Sequence, residues 1–416
     1  MPDGHDARCL LILRVNNHAV IKAAFGPAAA HGAMEHLARC ARRLLGRVEV
    51  RAMEDGELAL SAFYPAMRCA PLSEMVEDLC AALGRDPFPH ADGAILLSLS
   101  AGFGHDRDEG SMGDARMTLS AAPAGQGAPT GGGEEWARRY RKDMRIAASL
   151  VQAMARGATF WTWRPVCRAG DHDHLLHHEA AMRRVNRRGE QGDCAEGRAA
   201  LDRLGLRPAA DRMMFEDMLD ELAVDPSARL SVALSTQSLS QNLYGERCGW
   251  NRMIERLRRD RGAAERLIIE IDDHSPILRF GDLLGFVRVL RTYGVRFAVG
   301  RFGSGRASLG QLMLLAPDMV KLDSCFLHTA YRSPGNRRRV AKLIDLAASV
   351  GSDMIIDGVE TPWHMRVAAE EGAQWIAGAY VGNPARRRGR PTTGASMPSP
   401  TPTTQAVRAA LSASCR

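Results

Sequence analysis

The chain has 416 residues, of which 45% are hydrophobic and 25% are charged, and its formal net charge at pH 7 is +7. This composition is typical of a soluble globular protein with room for two or three domains. No apolar run reaches the roughly 18 residues that span a bilayer, and the N-terminal sequence lacks a secretory signal pattern. We therefore expect a cytoplasmic protein without a membrane partner.

The excess positive charge is partly local, because ARRRGR at residues 385–390 contains no acid. A solvated basic tail explains it, and we do not expect nucleic-acid binding because few aromatic residues accompany the basic clusters. Recruitment of nucleic acid or an acidic partner through the tail stays open as an alternative. The nine cysteines include no CxxC pair, which predicts reduced thiols and no disulfide framework.

The N-terminal part of the chain, residues 8–122, predicts an α+β domain in which helices cover one face of a mostly antiparallel sheet. The pattern predicts strands at residues 10–15, 48–50, 58–63 and 95–100, and helices at 28–45 and 71–83. The Asp-Gly pair in AMEDGE predicts a tight hairpin turn between the second and third of these strands.

Three changes of composition divide the chain. A stretch rich in Gly, Ala and Pro at 122–133 predicts a flexible linker, and residues 186–197 predict a surface loop. The residues from 385 onward have little to bury and predict disorder. The predicted organisation is a domain at 1–122, a linker with the start of a connecting helix at 123–139, a second domain at 140–384 and a basic tail at 385–416.

The second domain alternates strand-like and helical segments after one long helix at 134–156. The predicted strands are 229–234, 267–271, 295–299, 318–322 and 353–357, with helices that include 277–292 and 333–350. Continuous apolar strands separated by helices predict a parallel sheet covered on both faces. The number of repeating units favours a closed α/β barrel of the (β/α)8 type.

Polar residues cluster at the predicted strand ends, where the chemistry of such barrels gathers. They are Glu270, Gly300, Arg301, Lys321, Asp323, Asp357 and Glu360, and Glu179 from HHEAAMRR can join them. Acids that converge with a lysine indicate divalent-metal or phosphate chemistry. The alternative for each acid is a helix cap, in which the carboxylate accepts hydrogen bonds from the free amides of the following helix.

Residues 140–384 resemble an EAL domain, the cyclic di-GMP phosphodiesterase barrel. HHEAAMRR is similar to the Glu-Ala-Leu motif and its following Leu-Arg, which implies a metal-binding Glu179 and a ligand-binding Arg183. LIIEIDD is similar to Glu-x-Thr-Glu and implies a second metal ligand at Glu270. GRFGSGRASLGQL is similar to the Asp-Asp-Phe-Gly-x-Gly loop and the helix behind it.

Three further landmarks follow in the order of that family. MVKLDSCFL resembles Lys-x-Asp and gives Lys321 and Asp323, whereas IIDGVET resembles Glu-Gly-Val-Glu-Thr and gives Asp357 and Glu360. AGAYVGNP resembles the Gln-Gly segment that precedes a proline. The resemblance implies that both aspartates are metal ligands. It also implies that the lysine and the glutamate are catalytic if the domain is active, with Mg²⁺ or Mn²⁺ as cofactor.

Residues 8–122 resemble a GGDEF domain, the diguanylate cyclase fold, mainly through pattern and domain order. ILRVNNHAVIKAAFG lines up with the family's Asp-x-Asp-x-Phe…Asn…Gly segment, and AMEDGELAL with its signature hairpin. Arg14 stands at the metal aspartate position and Lys22 at the guanine-reading asparagine position. The turn at 54–57 lacks paired glycines, so the backbone cannot easily approach a triphosphate. We expect a vestigial domain without cyclase activity, in which residues 54–57 form a turn.

The barrel sequence also departs from the EAL pattern. The paired aspartates become Gly300 and Arg301, the metal-binding asparagine becomes Ala233, and two glutamines become Arg164 and Ala377. Losing two carboxylates and gaining one guanidinium changes the local charge by three units. That change opposes a pair of dications, whose mutual repulsion the carboxylates would offset. The alternative for the arginine of the loop is an exposed side chain that leaves the site neutral.

Together these observations predict a degenerate GGDEF–EAL protein that does not hydrolyse cyclic di-GMP, needs no cofactor and acts through an unknown protein partner. A homodimer through the EAL-like domain is a further expectation. Cyclic di-GMP stays a candidate ligand, because Arg183 and Arg301 can pair with phosphate in bidentate fashion. The alternative is a weak or active phosphodiesterase with a remodelled metal site.

Overall fold

The computed structural model describes residues 7–64, 72–105, 111–119, 133–185, 189–240, 250–272, 279–306, 308–350 and 353–389. Contacts divide the chain into two compact units. The first unit comprises Met1–Phe160, Arg184–Met213 and Gln241–Glu255, and the second comprises Trp161–Arg183, Met214–Ser240 and Arg256–Arg416. The domain boundaries predicted from the sequence stay predictions. The linker at 122–133 lies almost wholly outside the described residues.

The N-terminal elements form an α+β arrangement. They are β1 (Ala7–Val15), α1 (His18–Phe25), α2 (Pro27–Leu45), β2 (Val48–Ala52), β3 (Glu57–Tyr64), α3 (Leu72–Gly84), β4 (Phe88–His90), β5 (Gly93–Ile95), β6 (Leu99–His105), α4 (Ser111–Thr118) and α5 (Glu134–Ala155). Four strands pair in the order β2-β3-β1-β6, and every pair is antiparallel. The predicted sheet is confirmed.

The turn between β2 and β3 has the geometry that its Asp-Gly pair predicts. Asp55 has φ 57° and Gly56 has φ 78°, and positive φ at both central residues is the condition for the tight type I′ hairpin turn. Glycine is needed at the second position for another reason, because an added Cβ would lie 2.6 Å from the side chain of His18.

The strand predicted at residues 95–100 is wrong in its middle. The structure ends β5 at Ile95 and begins β6 at Leu99. The buried Asn17 side chain donates to the Leu96 carbonyl at 2.9 Å and accepts from the Ser98 amide at 3.0 Å. A side chain therefore takes backbone bonds that strand pairing would otherwise use, and an apolar pattern does not reveal this competition.

The elements after α5 include the strands of a barrel. The first group comprises β7 (Thr159–Arg168), β8 (Asp171–Val185), β9 (Gln191–Asp193), α6 (Ala195–Leu204), α7 (Arg207–Val224), β10 (Leu230–Ser235), α8 (Thr236–Leu239), α9 (Asn251–Arg259), α10 (Arg261–Arg266) and β11 (Leu267–Asp272). The second comprises α11 (Phe280–Arg291), β12 (Arg296–Phe302), α12 (Leu309–Leu315), β13 (Met319–Leu322), α13 (Ser324–Thr329), a 3-10 helix (Ala330–Arg332), α14 (Pro334–Ser349), β14 (Asp353–Ile356), α15 (Pro362–Glu370) and β15 (Trp375–Ala377).

The barrel closes because β10 pairs with β8 as well as with β11, so the strand order β8-β10-β11-β12-β13-β14-β15-β7 returns to its start. The five strands predicted from continuous apolar runs are β10 to β14, and their neighbours are parallel. The predicted parallel sheet is confirmed for these strands, but it does not extend to β7, which pairs antiparallel with β15. The predicted (β/α)8-type architecture is otherwise confirmed, with apolar side chains such as Ile268 and Met319 buried in the core.

The segment after residue 384 begins in contact with the barrel. Ala385 exchanges two backbone hydrogen bonds with Trp163, at 2.8 and 3.1 Å. The Arg388 guanidinium lies 4.7 Å from the centre of the same indole ring and pairs with Glu221 at 2.8 Å and Asp225 at 3.1 Å. These contacts order residues 385–389, which the sequence assigns to a disordered tail, because the arginine has specific acidic and aromatic partners. The rest of that tail lies outside the described residues.

Candidate functional site

The ends of the barrel strands bring together four of the predicted site residues. Glu179 lies on β8, Glu270 on β11 and Lys321 on β13, and Asp357 directly follows β14. The parallel register places Glu179 opposite Ser231 and Glu270 opposite Ala233, both on β10. Because these strands run in the same direction, their carboxyl ends share one rim of the barrel.

Lys321 lies at the centre of these acids. Its Nζ is 2.7 Å from Glu179 Oε1, 3.3 Å from Glu270 Oε2 and 3.6 Å from Asp357 Oδ2. The side chain of the lysine is only 10% exposed and that of Glu179 is 9% exposed. A buried ammonium of this kind needs nearby carboxylates to offset the loss of its hydration.

Arg164 on β7 supplies a second cation to the same acids. Its guanidinium Nη1 is 2.9 Å from Asp357 Oδ1, and its Nε donates to Glu179 Oε2 at 2.8 Å. Nη2 donates to Glu179 Oε2 as well. The sequence analysis identified Arg164 only as a replacement for a family glutamine. Its position shows instead that its charge is directed at the predicted metal ligands.

The charged groups in the cluster shift one another's pKa values. Burial raises the pKa of Glu179, but Arg164 and then Lys321 outweigh burial and bring the pKa well below its usual range. Burial lowers the pKa of Lys321, whereas the surrounding carboxylates raise it, and the net pKa lies above its usual value. Burial dominates at Glu270 and raises its pKa. The cluster therefore holds ion pairs at Glu179 and, at Glu270, a carboxyl group whose pKa lies above its usual value.

Arg301 contacts a different acid. Its Nη2 lies 3.7 Å from Asp323 Oδ2, and its side chain is 38% exposed. Burial raises the pKa of Asp323, but hydrogen bonds from the Ser304 hydroxyl and the Cys325 amide lower it by more than burial raises it. The net pKa of Asp323 is therefore below its usual value. The Cys325 amide donates at 2.9 Å, so Asp323 is the N-cap of α13. Asp323 thus acts as a helix cap, the alternative that the sequence left open for each acid. Arg301 is partly exposed, as its own alternative expects, but it also contacts Asp323.

The two remaining predicted site residues lie apart from these contacts. Glu360 Oε1 is 3.7 Å from His328 Nε2, and its backbone amide donates to His364 Nδ1 at 3.2 Å. Arg183 follows Glu179 by four residues on β8. It therefore points to the same face of that strand, about 13 Å further along. The described contacts thus join Lys321 to the predicted metal ligands and Glu360 to two histidines.

The donor set does not fit a pair of divalent cations as it stands. Among the described residues, the ligand atoms of the barrel acids do not meet within 4.8 Å as a set of three. Glu179 and Asp357 share Arg164 and Lys321, and Asp323 is engaged by Arg301 and by its own helix. Basic side chains thus already provide the positive charge that metal ions would bring.

The N-terminal sheet contains a similar ion pair between β1 and β3. Arg14 Nη2 lies 2.7 Å from Glu57 Oε1, and Arg116 lies 3.6 Å from Glu57 Oε2. Glu57 is buried. The sequence treated Glu57 as a turn residue and Arg14 as a lost metal ligand. It did not reveal that the two form one ion pair across the adjacent strands β1 and β3, because these residues are 43 positions apart and the hairpin joins β2 to β3.

His177 is a further site residue that the sequence did not single out. It precedes Glu179 by two residues on β8, so both side chains point to the same face. Burial lowers the pKa of His177 to about 3, and the imidazole is neutral at pH 7. It adds polarity but no positive charge to the cluster.

The fold and the site define a barrel protein whose polar cluster lies at the carboxyl ends of the strands, as in barrels that bind ligands or catalyse reactions. The chain belongs to the EAL domain family, whose pattern matches residues 147–384, more than half of the sequence. The predicted relationship to EAL domains is confirmed.

Two relatives from Escherichia coli illustrate the range of this similarity. The chain is 26% identical over 179 residues to the probable cyclic di-GMP phosphodiesterase PdeA, a match that covers 42% of this chain and 24% of PdeA. It is 22% identical over 249 residues to the RNase E specificity factor CsrD, covering 58% of this chain and 37% of CsrD. The chain thus spans well under half the length of each.

A solved structure from Vibrio cholerae, the S helix-GGDEF-EAL region of LapD, resembles the chain over more of its length. The similarity covers 90% of this chain and 88% of the LapD chain, with 16% identity and a TM-score of 0.51. At this identity the likeness concerns the fold alone. It supports a GGDEF-like fold before the barrel. Among the described helices, none combines the length and apolar composition needed to cross a membrane.

Proposed function

We propose that this EAL-domain protein acts in cyclic di-GMP signalling without hydrolysing the dinucleotide, and that it acts by binding another protein. One observation carries the proposal. Arg164, which stands in place of a family glutamine, pairs with Glu179 and Asp357, two of the acids that the EAL resemblance assigns to metal. Hydrolysis of a phosphodiester by two metal ions needs those carboxylates for the ions.

The charge count supports this proposal. Gly300 and Arg301 replace two family aspartates and change the charge by three units, and Arg164 in place of glutamine adds a fourth. Two unit charges at 4 Å interact by about 4 kcal/mol at an effective dielectric constant of 20. Arg164 would repel a nearby dication by at least this order of energy. It would also compete with the dication for the carboxylates of Glu179 and Asp357. We therefore expect low metal occupancy at Glu179, Glu270, Asp323 and Asp357.

The degenerate character of the GGDEF-like half belongs to the same proposal. Arg14 stands where the resemblance expects a metal-binding aspartate, and it neutralises Glu57. A guanidinium paired with a buried carboxylate there opposes the binding of Mg²⁺ with a nucleoside triphosphate. We propose that this half does not synthesise cyclic di-GMP and that it serves as an interaction domain.

Cyclic di-GMP is the candidate ligand of the barrel. Arg183 lies on β8, four residues beyond Glu179 toward the carboxyl end of the strand. Arg301 keeps more than a third of its side chain exposed. Both guanidinium groups could hold phosphate oxygens without an ion between them. The alternative, a phosphodiesterase with a remodelled metal site, is favoured by the convergence of Glu179, Glu270 and Asp357 on one lysine. In that case Lys321 and Glu360 would be the catalytic residues and Mg²⁺ or Mn²⁺ the cofactor.

The experiment that separates these functions combines hydrolysis and binding on the full chain. With saturating Mg²⁺ or Mn²⁺, we expect no conversion of cyclic di-GMP to its linear form above the no-enzyme rate. Calorimetry with cyclic di-GMP in EDTA then tests metal-independent binding, with Arg183→Ala as the variant that should weaken it at least about tenfold. Metal-dependent turnover by the purified protein would refute the proposal and establish the phosphodiesterase.

A homodimer through the barrel is the proposed assembly. Helix α12 exposes Leu309, Met313 and Leu314, whose side chains are 46%, 62% and 68% exposed. Adjacent exposed apolar residues on one helix favour a protein contact. We expect sedimentation velocity to show a dimer that the double change Met313→Glu and Leu314→Glu converts to monomer. Val224→Glu, at an exposed apolar position elsewhere on the barrel, should leave it intact. A monomeric parent protein at micromolar concentration would exclude this assembly.

A further inference from the structure

Three side chains of the first unit bring nitrogen, sulfur and oxygen ligand atoms together. His36 and Cys40 are four residues apart on α2 and so share one face of that helix. Asp86 follows the end of α3. Cys40 Sγ is 3.5 Å from His36 Nε2 and 3.4 Å from Asp86 Oδ2, and the ligand atoms all lie within 4.8 Å of one another. Among the described residues, no other group of His, Cys, Asp or Glu side chains meets this condition.

These separations match those around a tetrahedral ion. Zn²⁺ binds sulfur at about 2.3 Å and nitrogen or oxygen at about 2.1 Å, which places neighbouring ligand atoms about 3.6 Å apart at the tetrahedral angle. The thiolate and imidazole ligands favour zinc and related transition metals over Mg²⁺ and Ca²⁺, which prefer oxygen alone. Cysteine, histidine and carboxylate also form zinc sites with three protein ligands and one open position.

A positive charge already lies at the open side of this group. The Arg43 guanidinium Nη2 is 2.8 Å from Asp86 Oδ2 and 3.6 Å from Cys40 Sγ. Its side chain is 67% exposed, so it can rotate into solvent without leaving a buried charge unpaired. His36 Nε2 contacts the Asp86 carbonyl oxygen at 3.1 Å. A change of tautomer, with the proton on Nδ1, would free that nitrogen for a metal.

We propose that His36 Nε2, Cys40 Sγ and Asp86 Oδ2 form a binding site for Zn²⁺ or a similar transition-metal dication, with water as the fourth ligand. Binding displaces the thiol proton to solvent and moves Arg43 aside. The ion would connect α2 to the segment after α3, two parts of the first unit that are far apart in sequence. Metal binding would therefore stabilise the folded form of this unit. The site is independent of the barrel chemistry and of the proposed function.

The test is a Co²⁺ titration of the tag-free, metal-depleted full chain under reducing conditions. We expect one equivalent to produce thiolate-to-metal charge-transfer absorption together with the visible bands of four-coordinate Co²⁺. Zn²⁺ added afterwards should displace the Co²⁺ and raise the thermal unfolding midpoint. His36→Ala and Cys40→Ser should each weaken metal binding at least about tenfold. Loss of a residue that only hydrogen-bonds to a metal ligand already weakens binding by about tenfold or more, and these two residues are direct ligands. Arg43→Ala should tighten binding severalfold.

Two controls match the ligand types. His31→Ala removes an exposed histidine from the same helix, and Cys80→Ser removes a thiol from α3. Both should bind Co²⁺ like the parent protein. If Cys40→Ser does not fold, Asp86→Asn, at a half-exposed position, gives the same readout. Absence of the charge-transfer absorption in the parent protein overturns the proposal, as does absorption that survives His36→Ala and Asp86→Asn.

Discussion

Replacing Arg164 with Gln and Arg301 with Asp in one variant is expected to strengthen Mn²⁺ binding to the barrel by at least about tenfold, or 1.4 kcal/mol. The first change releases Glu179 and Asp357 from the guanidinium that both now contact. The second releases Asp323 from Arg301 and adds a carboxylate. Together they make the site more negative by three units, one from Arg164 and two from Arg301.

The variant is designed to disturb the backbone as little as the structure allows. Arg301 has φ 55°, in the left-handed region that aspartate tolerates better than most residues. Gly300 is left unchanged, because a Cβ there would lie 2.6 Å from Glu270 Oε1 and displace that carboxylate. The expected gain is a lower bound. Two unit charges interact by about 4 kcal/mol at 4 Å and a dielectric constant of 20, but water and salt screen the partly exposed Arg301.

Mn²⁺ calorimetry or the loss of the free Mn²⁺ resonance signal measures this affinity, and Mn²⁺ prefers the oxygen ligands of this cluster. Arg337→Gln is the matched control. That arginine pairs with Glu370 and Glu371 on the barrel but contacts none of the cluster acids, so its variant should bind Mn²⁺ as the parent does. Equal affinity in the double variant and the parent would show that other losses, such as Ala233 in place of asparagine, prevent metal binding.

The sequence predicted the barrel strands that are apolar on both faces. Strands β10 to β14 are continuous apolar runs because the barrel core contacts one face and helices cover the other. Strands β7 and β8 were not predicted, since TFWTWRPVCR and DHDHLLHHEAAMRRV carry histidines, arginines and acids. Their polar residues become compatible with strands only when the barrel closes and Arg164 meets Glu179.

The candidate site shows the same limit. A resemblance to EAL motifs brought Glu179, Glu270, Lys321 and Asp357 to one rim, and the structure places them around a single ammonium. The role of Arg164 depends on a contact across 193 residues with Asp357. Spacing along the chain does not indicate such a pair. The sequence therefore showed that a family glutamine is replaced by Arg164, but it did not show which acids this arginine neutralises.

Replacing Lys321 with Met is expected to lower the free energy of unfolding at pH 7 by about 3 to 5 kcal/mol, the usual cost of removing one partner from a buried ion pair. Methionine keeps much of the volume but none of the charge. Glu179, Glu270 and Asp357 would then face one another, and Arg164 would remain as a cation that contacts Glu179 and Asp357 but not Glu270. Urea unfolding of the parent and the variant measures the difference.

The loss of unfolding free energy caused by Lys321→Met should become smaller as the pH falls from 7 toward 5. Burial raises the pKa of Glu270, and Lys321 is the strongest influence that lowers it. Without the lysine this pKa rises further above the unfolded value of about 4.3. The folded variant then binds a proton that the unfolded chain does not, and acidification through that window favours the folded form. Glu179 acts in the opposite sense, because its pKa is lowered and its stabilising contribution is lost only on stronger acidification.

Lys342→Met provides the matched control for this test. Lys342 is 82% exposed and pairs with Asp345 at 3.1 Å on the surface of α14. Exposed pairs of this kind contribute about 0 to 1 kcal/mol, so its loss should be small and nearly independent of pH. A Lys321→Met protein as stable as the Lys342→Met protein at pH 7 would contradict the assignment of Lys321 as the central cation of the cluster. A deficit that grows between pH 7 and pH 5 would contradict the assignment of Glu270 as the carboxyl that takes up the proton.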